Sequence, residues 1–478
     1  MKTSAHTTAA LLALGFLLGG CASPTPSAKL PATPSAFAEA GAVKTSATDA
    51  DASTSLAAWW RSFDDPALDA LIGRAGEVNH DVRLARARVR EARALAGIAA
   101  AANQPSLNAN GTATRGRLSE NSNSGRSANA GGGSLTGNNL RADFDASWEI
   151  DIFGANRASA EATRAEAEAS AESARAVLIS VLAEVGSTYL DLRGAQRELA
   201  ILHANLRLQH DTLALAEDRL RAGVADELAV SQARTQLAET RTRIPPVETA
   251  CALATHRLGL LLDRAPAELA TALPDDGKSY ARPPRVPLGL PSELLQRRPD
   301  IRQAELAFSA AVSRLVSARA DRWPRFTLTG SAGLESISAG DLAEGGSRFW
   351  TLGPGLRWPL LSGGRIRQTI AAQDARAERA AILYEQAVLS AFADVEDALI
   401  KFGRAQDHLA AAEDYAASSR RTAALAADRH RAGLTDFLDV LSAERARLDA
   451  DQLRVKSETE TARNLIALYK SLGGGWTL

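Results

Sequence analysis

Apolar positions recur every seven residues along the stretch from about Arg157 to Ala222. The stretch contains no proline, and alanine, glutamate, arginine and leucine dominate it. A strict seven-residue repeat predicts helices that supercoil left-handedly around neighbours. At about 1.5 Å per residue the helix would be roughly 100 Å long. An ordinary coiled-coil rod is the alternative interpretation, because it would show the same seven-residue repeat. The apolar column consists of Leu178, Val185, Leu192, Leu199, Leu206, Leu213 and Leu220.

The same pattern occurs a second time. The motif Asp-Arg-x-Arg-Ala-Gly ends at Gly223 and again at Gly433, an offset of 210 residues. Upstream pairs such as Asp81 and Asp300 lie 219 residues apart, so the first copy has the longer loop between its strands. A repeat of this length indicates a duplicated domain, because solenoid units are far shorter. The second apolar column consists of Val388, Val395, Phe402 and Leu409.

Before each long helix, apolar and polar residues alternate, which is typical of a strand with one apolar face. We predict strands at about 105–118 and 140–152 in the first copy and at about 324–335 and 348–361 in the second. Strands of about ten residues with aromatic ends suit a membrane β-barrel, although a single hairpin would also suit a soluble core. The apolar face of the second strand consists of Leu140, Ala142, Phe144, Ala146, Trp148 and Ile150.

Four strands are too few to close a barrel, since the smallest well-formed barrels have about eight. An open sheet in lipid would leave unpaired edge groups, each costing several kcal/mol. If these strands enter a membrane, several chains must therefore share one barrel.

The beginning of the chain has the features of a bacterial lipoprotein. Residues 1–20 are predicted to be a signal peptide, because Lys2 precedes an apolar run that is too short to span a bilayer. The run ends in Leu-Gly-Gly-Cys, which resembles a lipobox with Cys21 as the lipidated residue. A plain signal peptide with an incidental cysteine is the alternative. Residues 21–55, rich in Pro, Ser, Thr and Ala, are interpreted as a lipid-anchored, extended tether.

The remaining chain divides into a first repeat at 56–265, an inter-repeat linker at 266–290 and a second repeat at 291–478. The first repeat is predicted to open with one helix at about 66–103. Its last helix contains Pro245-Pro246, which is expected to kink or split that helix.

Composition excludes several classes of function. The net charge of −1 gives no electrostatic reason to expect nucleic acid. The two cysteines are too few for a disulfide framework, and the seven histidines show no metal-site spacing. Because no catalytic motif is present either, we expect neither an enzyme nor a bound metal or cofactor.

Five motifs stand out along the mature chain. They are Trp59-Trp60 with Asp65-Pro66, the segments Trp148 to Gly154, Leu294 to Glu305 and Gly353 to Leu360, and Gly433 to Leu441. Ala22, and not aspartate, follows the lipobox cysteine, which in enteric-type sorting sends a lipoprotein to the outer membrane. Together these features resemble the TolC-type outer-membrane factor family, in particular its lipidated OprM/NodT-like branch.

The resemblance implies a mainly α fold with a small membrane β part. Duplicated hairpin repeats of a homotrimer would form a 12-stranded β-barrel joined to a long periplasmic α-helical barrel. Residues 119–139 and 336–347 would be extracellular loops. The implied partners are outer-membrane lipid, a periplasmic adaptor (a membrane fusion protein) and an inner-membrane transporter of the resistance-nodulation-division (RND) class.

The resemblance also assigns roles at the helix turns, which would lie at the periplasmic tip. The last-turn arginines also suit the negative end of the helix dipole, and Asp226 and Asp436 also suit helix N-termini. Asp439 matches the family's first gate aspartate, but Ser442 and Ala229 stand where carboxylates are often found. The implied adaptor-docking residues are Arg221, Gly223, Val224, Arg431, Gly433 and Leu434, and the implied gate residues are Asp439, Asp436 and Asp226.

The predicted function is a passive outer-membrane exit duct for drugs or other small molecules. Ducts for ATP-driven protein secretion or for heavy-metal efflux remain as alternatives within the channel class. A coiled-coil envelope scaffold without a pore is the alternative from a different class.

Overall fold

The computed structural model describes most of the chain as two compact units. The signal peptide, Cys21 and most of the linker lie outside the described residues. One unit contains Ile98–Ala162 and Phe308–Leu383, and the other contains Leu30–Gly97, Thr163–Ala307 and Tyr384–Leu478. The described residues are 26–43, 56–131, 134–224, 226–265, 267–269, 273 and 291–476.

Nine α-helices, four strands and three short 3₁₀ helices make up the described elements. The strands are β1 (Ser106–Arg117), β2 (Thr136–Ile150), β3 (Arg325–Ser336) and β4 (Arg348–Arg357). The helices are α1 (Pro66–Val78), α2 (His80–Ala101), α3 (Asn123–Ala130), α4 (Ala155–Arg221), α5 (Glu227–Leu261), α6 (Pro291–Arg297), α7 (Pro299–Ala320), α8 (Arg365–Arg431) and α9 (Phe437–Ser471).

The strands form one antiparallel sheet in the order β1-β2-β3-β4, so β2 and β3 join the two copies. Trp148, for example, lies opposite Leu328. β2 begins at Thr136, earlier than predicted, because it pairs with the whole of β1 as far as Arg117. β4 ends earlier than predicted, two residues before Pro359, which has no N–H to donate to a ladder.

The Ser/Asn/Gly-rich segment 119–139 is not a plain loop. It contains helix α3 and the first residues of β2. The polar composition of α3 hides it from an analysis based on apolar periodicity, because no apolar face marks its turns.

The seven-residue columns lie in the helical unit as predicted. Val185 and Leu192 on α4 are buried, as are Val388, Val395, Phe402 and Leu409 on α8. Both long helices have 67 residues. The other residues of the α4 column are half-buried, except Leu220, which is exposed beside the turn that follows α4.

The predicted helix at 66–103 is two helices, because Asn79 interrupts it in an extended conformation. The Asn79 side-chain oxygen accepts hydrogen bonds from the amides of Asp81, at 2.9 Å, and Val82, at 3.3 Å. Asn79 therefore caps α2 in the manner of an N-cap residue. Its Nδ2 donates to the carbonyl of Leu261 at the end of α5, at 3.0 Å.

An equivalent joint occurs in the second copy. Arg298 stands between α6 and α7, and its Nη1 donates to the carbonyl of Ser471 at the end of α9, at 3.1 Å. Arg298 follows Asn79 by 219 residues, and Ser471 follows Leu261 by 210. These are the offsets of the duplication, so in both copies the shorter helices meet end to end at matching positions.

Helix α5 is continuous through Pro245 and Pro246, so of the two predicted outcomes, a kink or a split, the split does not occur. The two prolines leave the carbonyls of Arg241 and Thr242 without their usual amide donors. Both residues are exposed, so water can hydrogen-bond these carbonyls. That removes most of the penalty for an internal proline.

The segment predicted as an extended tether is partly folded onto the helical unit. Phe37 and Val43 are buried, and Ala38–Ala42 form a 3₁₀ turn between them. The amides of Ala38 and Glu39 donate to the carboxylate of Glu396 on α8, at 2.7 and 2.9 Å. Two interactions explain this docking: the burial of two apolar side chains, and the hydrogen bonds that two backbone amides donate to a charged carboxylate.

A buried polar contact holds the start of α1 against α4. Asp65 is the N-cap of α1 and accepts from the amide of Ala67. The hydroxyl of Tyr189 donates to its second oxygen at 2.7 Å, and Arg193 Nε donates to the Tyr189 oxygen at 2.9 Å. Burial raises the pKa of Tyr189 to about 12.

We expect Tyr189→Phe to destabilise the helical unit by about 1–3 kcal/mol, because Asp65 loses a donor in a buried place. In the wild type this contribution is complete below the unfolded tyrosine pKa of about 10 and is lost as pH rises to about 12. The measurement is guanidinium unfolding at pH 8 and pH 11. The control is Tyr415→Phe, at an exposed tyrosine on α8. Equal midpoints for the two variants at pH 8 would contradict the prediction.

Candidate functional site

Each long helix ends in a glycine turn that no other residue forms without strain. Gly223 and Gly433 have φ values of +71° and +74°, in the left-handed region. The amides of Val224 and Leu434 then donate to carbonyls in the last turns of α4 and α8, at 3.0 and 2.9 Å. This is the hydrogen-bonding pattern of a Schellman motif.

The arginines and apolar residues predicted for docking are exposed at these turns. Arg221 pairs with Asp218 and Arg431 with Asp428, one turn back on the same helix. Such exposed pairs contribute little stability. Val224 and Leu434 are 73% and 67% exposed, which is unusual for large apolar side chains in a tight turn. Leu228 and Leu438, on the first turns of the following helices, are also exposed.

The three predicted gate aspartates have different local contacts. Asp226 is the N-cap of α5, and its Oδ1 accepts from the amide of Ala229 at 2.9 Å. Asp436 is the N-cap of α9 but makes no side-chain capping bond. Asp439, in the first turn of α9, accepts a hydrogen bond from the Thr435 hydroxyl. Of the two roles considered for Asp226, helix capping is therefore the one that the structure supports.

A contact that the sequence analysis missed joins the two turns. Arg219 on α4 lies 2.6 Å from Nε2 of His430 on α8. His430 Nδ1 donates to the Thr435 carbonyl at 3.0 Å, so Nε2 is the acceptor for the guanidinium. The signal was present in the repeated motif, because His430 stands where the first copy has Leu220.

The two turns enclose a cleft of about 860 Å³. Arg219, Asp226, His430 and Asp436 line it together with apolar side chains such as Leu438. The structure thus brings together residues of both copies at one end of the long helices.

In the other unit, one face of the sheet exposes large apolar side chains. Phe144, Trp350 and Leu352 are 59%, 78% and 68% exposed. Contiguous apolar surface of this kind marks an interface with lipid or protein. At one end of the sheet, Trp148 Nε1 donates to the carbonyl of Asn103, at 3.0 Å. The equivalent Trp358 donates to the carbonyl of Arg322, at 3.1 Å.

The opposite face of the sheet is polar, and several of its charges are paired. Arg141 donates two hydrogen bonds to Asp143 at 3.0 and 3.2 Å, and it lies 3.7 Å from Glu335. Asn110 on β1 donates to Asp145 at 2.7 Å. The sheet therefore separates an apolar face from a hydrated face, which suits a wall between lipid and water.

Among the described residues, no helix combines the length and the apolar character needed to cross a bilayer. That part of the chain also contains no group of three or more His, Cys, Asp or Glu side chains placed to hold a metal ion.

Comparison with known proteins gives one family. The family model described as "Outer membrane efflux protein" matches residues 71–263 and 290–474. The chain is 32% identical over 471 residues to the pyoverdine export outer membrane protein OpmQ of Pseudomonas putida, covering 98% of this chain and 97% of the relative. It is 31% identical over 467 residues to the probable outer membrane lipoprotein SilC of Salmonella typhimurium, covering 96% and 97%.

A solved structure has the same fold. The outer-membrane channel OprN superposes with a TM-score of 0.85 at 33% sequence identity. The match covers 95% of this chain and 100% of the OprN chain.

Proposed function

The chain belongs to the outer membrane efflux protein family, and from this premise we propose that it is the exit duct of a tripartite efflux system. In this proposal the duct performs no chemistry. A periplasmic adaptor and an inner-membrane transporter of the RND class deliver the solute, and the transporter supplies the energy. The proposal rests mainly on the pairing of an apolar, exposed sheet face with a polar opposite face in a chain whose family consists of channels.

The barrel is closed by three copies of the chain. β1 and β4 are the edges of the four-stranded sheet. Joining β4 of one copy to β1 of the next pairs the backbone groups of both edge strands and gives a barrel of twelve strands. Backbone groups in lipid need such pairing, because no water is present to hydrogen-bond them. The face with Phe144 and Trp350 then contacts lipid, and the face with Arg141 and Asp143 lines the lumen.

The cargo is proposed to be small molecules. OpmQ is named for the export of pyoverdine, which supports this class over protein secretion. The described residues offer no metal-binding cluster that would favour heavy metals as a cargo. Lipidation of Cys21 is part of the proposal and is supported by the lipobox and by the relative SilC, which is named as a lipoprotein.

We place the periplasmic gate at the helix turns, with Asp436, which lines the cleft, and Asp439, in the first turn of α9, as its acidic residues. Asp226 contributes charge while it caps α5. Around a threefold axis these carboxylates repel one another, so bound cations favour closure. The exposed Val224 and Leu434, with Arg221 and Arg431 and the turns at Gly223 and Gly433, form the docking surface for the adaptor.

The test is the conductance of the purified trimer in planar bilayers. With divalent cations present to bridge the carboxylates, the wild type is expected to conduct weakly. Asp439→Ala, which has lost a carboxylate that holds those cations, is expected to conduct several-fold more under the same conditions. Ser442→Ala, one turn further along α9, is the control and should match the wild type. Equal conductance of the Asp439 variant and the wild type would remove Asp439 from the gate. Absence of conductance in every variant would favour the scaffold alternative.

Capture of the partner tests the rest of the proposal. A photo-crosslinking residue at exposed Leu434 is expected to trap a periplasmic adaptor in cells, whereas the same probe at exposed Leu389, on α8 and far from the helix turns, should trap less. An adaptor that works with an ATP-driven transporter would contradict the RND assignment.

A further inference from the structure

On the lipid-facing side of the sheet, the strand ends next to the hairpin loops carry arginines. On β1 the outward positions are every second residue from Leu107 to Arg117, so the apolar run ends in Arg115 and Arg117. On β4 Arg348 is on the same outward face as Trp350, two residues before it. All three arginines lie at the strand ends that run into the hairpin loops, away from the long helices. In the proposed orientation this end is extracellular.

The other end of the same face has a different composition. Its outward strand residues are apolar: Leu107 on β1, Trp148 and Ile150 on β2, Phe326 on β3 and Leu356 on β4. The basic residues are therefore confined to one side of the membrane. Residues that only anchor the barrel at the membrane surface would occur at both interfaces, and would not confine the arginines to one of them.

The arginines are exposed and carry excess positive charge. Arg117 pairs with Glu120 at 2.9 Å, but both side chains remain more than half exposed. Arg115 and Arg348 are exposed, and within the described part of the chain neither has an ion-pair partner. Each chain thus presents two uncompensated guanidinium groups on its outward face.

Closure of the trimer brings these groups together. Because β4 of one copy pairs with β1 of the next, Arg348 of one copy and Arg115 and Arg117 of the next lie on the same face and at the loop-side ends of neighbouring strands. Trp350 marks the interface level, and Arg348 lies about 7 Å further along the strand. The long aliphatic part of an arginine side chain can carry the guanidinium group further toward the lipid head groups. Three such junctions surround the barrel.

We propose that each junction binds the phosphate groups of the glycolipid in the outer leaflet of the outer membrane, a lipid A-type molecule. The inference rests on the proposed trimeric barrel and its orientation. Guanidinium groups form bidentate hydrogen bonds with phosphate oxygens. A glycolipid with more than one phosphate on its head group can engage arginines of both copies at once. Such a lipid would bind across the junction and stabilise the pairing of β4 with β1.

The test measures lipid binding to the delipidated full-length trimer by native mass spectrometry. The probes are lipid A, dephosphorylated lipid A and phosphatidylglycerol. Wild-type protein is expected to bind lipid A best, with affinity that falls as salt rises. The double variant R115Q/R348Q is expected to lose about tenfold or more in affinity, because each basic residue near an anionic lipid contributes about a factor of five. R357Q, on the polar face at the other end of β4, is the control and should bind normally.

Each other outcome overturns the inference in a defined way. Equal affinity of R115Q/R348Q and wild type would remove the arginines from lipid binding. Equal binding of dephosphorylated lipid A would exclude phosphate recognition, and stronger binding of phosphatidylglycerol would exclude the glycolipid. Conductance is measured on the same preparations. A conducting trimer without selective lipid binding contradicts only this inference, whereas a trimer that never conducts contradicts the proposed function.

Discussion

Replacing Gly333 with valine is expected to prevent assembly of the barrel. Gly333 lies opposite Asp143 on the polar face, where β3 pairs with β2. A Cβ atom there would stand 2.3 Å from the Ala142 carbonyl oxygen and 2.6 Å from Asp143 Cα. The obstacle is backbone, so a change of rotamer cannot relieve it. Overpacking costs about 1–3 kcal/mol where side chains can move, and more is expected here.

The measurement is the amount of heat-resistant trimer recovered from outer membranes. Valine at Gly333 should reduce it to background, because β2 and β3 are the strands that join the two copies. Valine at Gly353, also on the polar face but with no atom within 4 Å of a built Cβ, is the matched control and should preserve most of it. Normal recovery of the Gly333 variant would show that the close approach of the two strands is not required.

Replacing Glu458 with alanine is expected to destabilise the helical unit strongly. Glu458 on α9 is fully buried and accepts hydrogen bonds from Arg197 on α4 at 2.6 and 2.9 Å. Arg454 approaches the same carboxylate at 3.5 Å. Removing the carboxylate leaves the Arg197 guanidinium, whose side chain is 13% exposed, without this partner. Breaking such a pair costs about 3–5 kcal/mol.

The midpoint of guanidinium unfolding, followed by helical circular dichroism, measures this loss. Asp397→Ala is the control, because its partner Lys401 is one turn away and both side chains are well exposed. Removal of such a surface pair changes stability by about 1 kcal/mol or less. If the Glu458 and Asp397 variants unfold at the same midpoint, the buried pair does not hold α9 against α4.

The features that the sequence predicted correctly are those with a local period. The columns through Val185 and Val388 follow from the seven-residue repeat of one helix, and the exposed apolar face of β2 follows from alternation. The turns at Gly223 and Gly433 follow from a repeated glycine motif. In each case a few neighbouring residues determine the backbone conformation, so no knowledge of distant contacts is needed.

The three proposed gate residues illustrate how far local patterns extend. The motifs that resemble the family put Asp226, Asp436 and Asp439 near the helix turns, and the structure has all three at the starts of α5 and α9. Their different contacts depend on neighbouring groups such as Ala229 and Thr435, whose side chains or amides are positioned only when the following helix begins.

Contacts between distant residues were decided by the tertiary structure alone. Glu396 accepts a hydrogen bond from the amide of Ala38, which is more than 350 residues away along the chain. Arg219 of the first copy contacts His430 of the second copy. The sequence predicts Asn79 to be an interior residue of one helix. In the structure its side chain donates a hydrogen bond to a carbonyl at the end of α5. The periodicity of one segment carries no information about which distant segment packs against it. The sequence alone therefore determined the long helices, the strands and their faces, whereas only packing decided the contact of Asn79 with the end of α5, the docked tether and the link between the two turns.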